Sequence, residues 1–249
     1  MPPPRSLRPV GVALVDKPAG PSSFAIVAAF RRQTRARTGH AGTLDPFATG
    51  LLVLFSGAAT RLAPCFVGLD KRYVTDIDLT STTSTGDPEG EQLEHHPAPA
   101  RPALEEALEG LRGEVELPIP AASAVKVGGE RAYKLARRGV LVEMPVRRSL
   151  VHSLEVVAYT GDTVRLALHV SSGTYIRSIA QALDGHCATL RRTAVGPFEV
   201  ADARPVDEAV LLPAADALAR LPVDALDRVS ENVRAGVLAL DGANGGAAA

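Results

Sequence analysis

The stretch Gly39-His40-Ala41-Gly42-Thr43-Leu44-Asp45-Pro46-Phe47-Ala48-Thr49-Gly50 constrains this chain more than any other. It sets one carboxylate in a glycine-punctuated loop between two hydrophobic segments. Glycines let a backbone adopt conformations closed to other residues, and Pro46 fixes the chain directly after the carboxylate. Such a loop can present an acid rigidly. An Asp before a Pro is also a common helix cap, so chemistry alone leaves Asp45 open between a reactive acid and the N-cap of a short helix.

The flanking pattern predicts mostly strands. Residues 10–15 are a short apolar run ended by Lys17-Pro18-Ala19-Gly20-Pro21, a segment no helix could cross. A helix is expected from Ser22 or Ser23, with Phe24, Val27 and Phe30 on its apolar side. Arg31, Arg32, Arg35 and Arg37 follow at and beyond its end, where cations complement the helix dipole and could also meet RNA phosphates. Residues 51–55 read as a buried strand and 58–67 as a short helix. Tyr73, Thr75, Ile77 and Leu79 alternate with Val74, Asp76 and Asp78 as in a strand. Residues 80–90 read as a polar loop, and Leu104, Leu108 and Leu111 mark an amphipathic helix. Gly128-Gly129 predicts a turn before a short basic helix over 133–138 that Gly139 ends. Residues 151–158 and 164–170 form a hairpin joined at Gly161-Asp162, and 175–183 a helix with Arg177 on its first turn. Hairpin-like succession with interspersed helices predicts an α+β domain on a largely antiparallel sheet rather than a doubly wound parallel one.

The 249 residues, 46% of them hydrophobic, suffice for one substantial core. No run approaches the roughly 18 apolar residues of a membrane span, and Met-Pro-Pro-Pro-Arg-Ser at the start has no apolar signal region, so the expected compartment is the cytoplasm. Cys65 and Cys187 are too few for a disulfide framework. The formal net charge of -1 hides a segregation: residues 1–72 carry 10 basic and 3 acidic side chains, residues 76–116 carry 2 and 11, and residues 126–148 carry 7 and 2. One face suited to phosphates and another covered by acids is the arrangement of a nucleic-acid binder, although ordinary solvated faces give similar counts.

The loop around Asp45 resembles the signature loop of the TruB-type tRNA pseudouridine synthases. Further stretches similar to that family follow in its order: Val15-Asp16-Lys17-Pro18 with Ser22-Ser23, Asp70-Lys71-Arg72-Tyr73, Ser123-Ala124-Val125-Lys126, Gly173-Thr174-Tyr175-Ile176-Arg177, and Leu190-Arg191-Arg192. Together they span roughly residues 10–200. The resemblance implies the pseudouridine-synthase fold, no cofactor or metal, and conversion of uridine 55 in the tRNA T-loop to pseudouridine by a stand-alone, monomeric enzyme. It makes Asp45 the catalytic carboxylate, Arg177 the arginine paired with that carboxylate, and Tyr73 the tyrosine stacked on the target base. His40 corresponds to the residue that moves during base flipping and Leu190 to an apolar wall of the uracil pocket. Lys17 and Pro18 correspond to support for the loop, and Lys126, Arg31 and Arg32 are expected to bind substrate. Ala122 departs from the family pattern, which often has a tyrosine there. Residues 1–204 are the expected catalytic domain. Residues 205–249 are expected to form short helices and a disordered tail from Gly242, too little for the RNA-binding PUA domain of many relatives.

Rival patterns are weaker. Ser123-Ala124-Val125-Lys126 fits the Ser-x-x-Lys of acyl-serine enzymes, but the Ser-Asp-Asn element is absent. His95-His96 and His186-Cys187 lack metal-ligand spacing, and no glycine loop ends in Gly-Lys-Ser/Thr. Two alternatives keep the same scaffold: an RNA-folding protein without turnover, and an H/ACA-guided synthase of the dyskerin type.

Overall fold

A computed structural model describes residues 9–138, 140 and 143–245. The chain forms two compact units, one from the chain up to Lys71 together with Arg191 onward, the other from Arg72 to Leu190.

In the first unit, β1 (Gly11–Lys17) leads into α1 (Ser23–Thr34). Ser22 caps α1 by accepting from the Ala25 amide, and Arg35 ends it in the left-handed conformation. The short β2 (Thr38–His40) precedes the signature loop, and β3 (Thr49–Ser56) follows it. A 3-10 turn at Gly57–Leu62 and α2 (Ala63–Val67) then reach the first residue of β4 (Lys71–Asp78).

The second unit carries the rest of β4. Next come β5 (Ser81–Thr83) and β6 (Gln92–His95), paired with one another, so the expected polar loop over 80–90 is in part a small hairpin. Its tip closes through the Thr83 hydroxyl, which donates to the Asp87 carbonyl, a local bond that strand periodicity does not reveal. α3 (Arg101–Gly110) buries Leu104 and Leu108, and Leu111 forms its buried C-cap. β7 (Gly113–Pro118), β8 (Lys126–Val127), β9 (Glu130–Arg131) and α4 (Ala132–Arg137) follow. The expected stop at Gly139 lies outside the described residues. The hairpin of β10 (Val146–Tyr159) and β11 (Thr163–Val170) precedes α5 (Ile176–Gln181).

β12 (His186–Val195) gives its first half to the second unit and its end to the first. β13 (Phe198–Glu199), β14 (Leu211–Leu212) and three helices complete the first unit: α6 (Ala214–Ala219), α7 (Val223–Leu226) and α8 (Glu231–Gly245). Positions 242–245, where low complexity suggests a tail, are thus helical, and 246–249 lie outside the described residues.

Pairing is antiparallel in β14-β1-β3 and in β11-β10-β7, and parallel where β12 meets β3. β3 is buried on both faces, and its alternation divides the first unit's core. Leu52 and Leu54 pack with Ile26, Val27 and Phe30 of α1. Leu51, Val53 and Phe55 pack with Phe66, Phe198 and the α6 to α8 residues Ala217, Leu218, Ala225 and Val237. Helices α6 to α8 therefore supply one side of the core around β3, and Val206, Ala209 and Leu211 pack against the other. The helix phase differs from expectation at Phe24, which is 73% exposed. The neighbouring Ser23 hydroxyl is buried against Leu44, and this turns Ile26, Val27 and Phe30 inward, each worth about 1.5–3 kcal/mol of burial.

Candidate active site

The signature loop is gripped from beneath by polar side chains of its own unit. Ser23 Oγ donates to the Leu44 carbonyl and accepts from the Leu44 amide, both at 2.8 Å. The fully buried Lys17 donates from Nζ to the carbonyls of Pro18 (2.9 Å), Pro46 (3.0 Å) and Ala48 (2.6 Å). The Gly20 amide donates to Pro46 O at 2.9 Å. Arg192 donates from Nε to Leu51 O (2.7 Å), from Nη2 to Gly42 O (3.1 Å) and from Nη1 to Thr43 O (3.4 Å). Asp45 thus sits between backbone points fixed on both sides. No helix starts at Pro46: the Ala48 amide closes a turn on Asp45 O at 3.2 Å, so Asp45 is not the cap of a regular element. Gly50 has φ +102, and a Cβ there would lie 2.2 Å from Arg192 O, so only glycine lets β3 pair with β12 at this point.

Two groups beside the loop have depressed proton affinity. His40 is lowered first by burial and then by the charge of Arg192, which keeps its ring neutral at physiological pH. Lys71 donates to Val67 O (2.7 Å) and Leu69 O (2.5 Å) and is lowered to about 7, mainly by burial and further by Arg192. Between about pH 7 and the ordinary value of 10.5 the unfolded chain holds this proton and the folded chain does not, so unfolding takes up a proton. Stability should therefore rise with pH across that window, by at most about 1.4 kcal/mol per unit from this group. We expect Lys71→Met to flatten the rise, as measured by urea unfolding from about pH 7 to about pH 10. An unchanged slope would remove Lys71 as its source.

In the second unit, Arg177 on α5 is 2% exposed. It donates from Nη1 to Thr85 O (2.7 Å) and from Nη2 to Ala122 O (3.0 Å), with Asp87 Oδ2 3.5 Å from Nη1. Asp87 is itself buried and accepts from the Thr85 hydroxyl and the Glu89 amide. Arg177 is thus a fully desolvated cation in a fixed fork. Ala122, which departs from the family pattern in its side chain, contributes through its carbonyl. Tyr73 lies on β4, 8% exposed, on the inward face with Thr75 and Ile77. Leu190 is 7% exposed near the middle of β12. Lys126 is exposed on the hairpin of β8 and β9, opposite Arg131, and Arg31 and Arg32 are exposed at the end of α1.

Sequence reasoning anticipated support from Lys17 but not from Ser23, Lys71, Asp87 or Arg192. Ser23, Lys71 and Arg192 sit in the family-like motifs and Asp87 in the expected polar loop, yet only the fold shows which groups they reach. The apparent signal for Arg192 was its pairing with Arg191 in one short motif. The structure separates them, Arg191 forming a bidentate ion pair with Asp16 at 2.7 and 3.0 Å.

The antiparallel sheets with these motifs define a pseudouridine-synthase fold. It is similar to the crystal structure of a Cbf5-Nop10-Gar1 complex at 28% identity and TM-score 0.58, covering 76% of this chain and 50% of that one. It is likewise similar to that of the archaeal box H/ACA sRNP Nop10-Cbf5 complex, at 26% identity and TM-score 0.55, over 78% and 50%. This chain therefore spans half the length of those matched chains. The family TruB family pseudouridylate synthase (N terminal domain) matches residues 31–176. A tRNA pseudouridine synthase B of Azoarcus sp. (strain BH72) is 41% identical over 226 residues, 87% of this chain and 75% of that protein. One of Synechococcus sp. (strain WH7803) is 43% identical over 238 residues, 86% and 79%. The chain belongs to the TruB family of pseudouridylate synthases.

Proposed function

We propose that this protein is a tRNA pseudouridine synthase that converts uridine 55 of the T-loop to pseudouridine as a monomer in the cytoplasm. The observation that carries the reading is the signature loop, with Asp45 held between backbone points that Ser23, Lys17 and Arg192 fix. The names of the relatives similar over most of the chain support the same substrate.

The reaction is an isomerisation. The N1 to C1′ bond breaks, the uracil turns, C5 bonds to C1′, the C5 proton leaves and N1 gains a proton, so no group or electron is supplied from outside. Asp45 provides the carboxylate that acts at the ribose or base, and Arg177 the cation that keeps a desolvated carboxylate ionised. Tyr73 stacks on the target base and serves the loss of the C5 proton, while Leu190 walls the uracil. A neutral His40 ring suits stacking within RNA opened by flipping. Lys126, Arg31 and Arg32 meet phosphates. No helix among the described residues is long and apolar enough to cross a membrane.

The test is to map the product. Unmodified tRNA transcript should gain pseudouridine at position 55, and a transcript with cytidine there should gain none. Modification only elsewhere would overturn the assignment. The phosphate contacts have their own expected result: Arg31, Arg32, Arg35 and Arg37 are all exposed beside β2, which leads into the loop. Each lost phosphate contact lowers the slope of log affinity against log salt by roughly 0.7–0.9. The quadruple Gln variant, losing two to four such contacts, should therefore change that slope by about 1.5–3.5 and weaken binding to all tRNAs alike. Equal slopes in salt titrations would move the phosphate face to the basic stretch around Lys126.

A further inference from the structure

Arg192 is 1% exposed and heads the largest wholly buried side chains among the described residues. A guanidinium cannot shed its charge, and burying one is costly unless it is paired. Yet its partners are carbonyl oxygens only, those of Gly42, Thr43 and Leu51, and no carboxylate among the described residues forms an ion pair with it. A second basic side chain reaches the same place: a methyl group built on Gly42 would meet Arg192 Nη1 at 3.5 Å and Lys71 Cε at 3.9 Å. A fold needing only stability would gain by filling this space with apolar side chains. A buried cation kept between two loop carbonyls and one of β3 calls for another explanation.

We propose that Arg192 is a positioning residue for the reaction, its planar fork setting the height of the Gly42-Thr43 end of the loop that carries Asp45. The inference rests on the reading of Asp45 as the reacting carboxylate. Nε fastens the guanidinium to Leu51 of β3, and the two terminal nitrogens reach the loop on its other side. Arg192 thus ties the loop's entry to the strand that follows it, while Lys17 and Ser23 hold the middle. Its charge also bears on the loop's titratable neighbours. Arg192 is the charged group that faces His40, and Lys71 faces Arg192, Asp70 and Arg228. The cation therefore favours the uncharged ring of His40 at the point where RNA would arrive.

The experiment compares wild type with Arg192→Met and Arg192→Lys. It uses single-turnover release of tritium from uridine C5 in T-arm RNA, RNA affinity, thermal melting, and NMR titration of His40. Arg192→Met should lower the single-turnover rate about a hundredfold, the cost of a misplaced reacting group, with affinity changed less than about threefold. It should also raise the His40 midpoint. Arg192→Lys should keep that midpoint near wild type, since the charge remains. It should still lose at least about tenfold in rate, because an ammonium does not reproduce the fork. A cooperatively melting Arg192→Met with a rate within about threefold of wild type overturns the inference. Should that variant not fold, an Arg192→Lys within about threefold does so. The His40 titration is independent of turnover, and an unmoved midpoint in Arg192→Met also overturns it. Wild type without turnover would instead remove the reading beneath.

Discussion

Asp45→Asn should reduce the single-turnover rate of pseudouridine formation by at least about a thousandfold, roughly 4 kcal/mol of barrier, while tRNA affinity stays within about tenfold. The asymmetry follows from where Asp45 sits. It lies in a turn closed by the Ala48 amide on the Asp45 carbonyl, a bond that the change to Asn leaves in place. Its neighbours Leu44, Pro46 and Ala48 are held by Ser23, Gly20 and Lys17 through backbone atoms, so the amide should occupy the same place. Asn keeps the shape and removes the charge, and binding drawn from phosphates does not depend on one carboxylate. A rate within tenfold of wild type would remove Asp45 as the reacting group.

Arg177→Lys should cost about a hundredfold in single-turnover rate, far more than exchange of one cation for another costs at a surface. Arg177 is 2% exposed, and its two terminal nitrogens serve different segments, Thr85 O and Ala122 O, with Asp87 3.5 Å away. A lysine offers one compact ammonium and leaves at least one buried carbonyl without a donor, a loss of about 1–3 kcal/mol. The variant should melt lower, and its loss in rate should persist across the pH range, because an ammonium, whatever its charge, does not reproduce the planar fork. A wild-type pH profile and rate in Arg177→Lys would show that the fork has no part in catalysis.

Much of the fold was legible because period-two patterns are local. β4 shows it at Tyr73, Thr75 and Ile77, and β11 at Val164, Leu166, Leu168 and Val170, all buried. β3 could be read as buried on both faces from its unbroken apolar run. Phe24 was misread because spacing reports a stripe without its phase, and the phase of α1 is set by a tertiary bond from Ser23 to Leu44. β7 carries too few apolar residues to stand out and exists through pairing with β10. The candidate site divides in the same way. Apart from Arg31 and Arg32, the residues expected to touch substrate lie inside motifs, whereas their supports act through backbone atoms distant in sequence: Lys17 on Ala48 across 31 positions, and Arg192 on Gly42 across 150. Which carbonyls a buried cation reaches is a property of the fold, and no residue spacing encodes it.

Incubation of the purified protein with unmodified tRNA carrying tritium at uridine C5 tests the central claim most directly, because rejoining the base through C5 expels the hydrogen held there. The account predicts release of one tritium per tRNA from wild type, no release above background from Asp45→Asn under the same conditions, and pseudouridine at position 55. Failure of folded wild type to release tritium from folded tRNA, or equal release by Asp45→Asn, would contradict it.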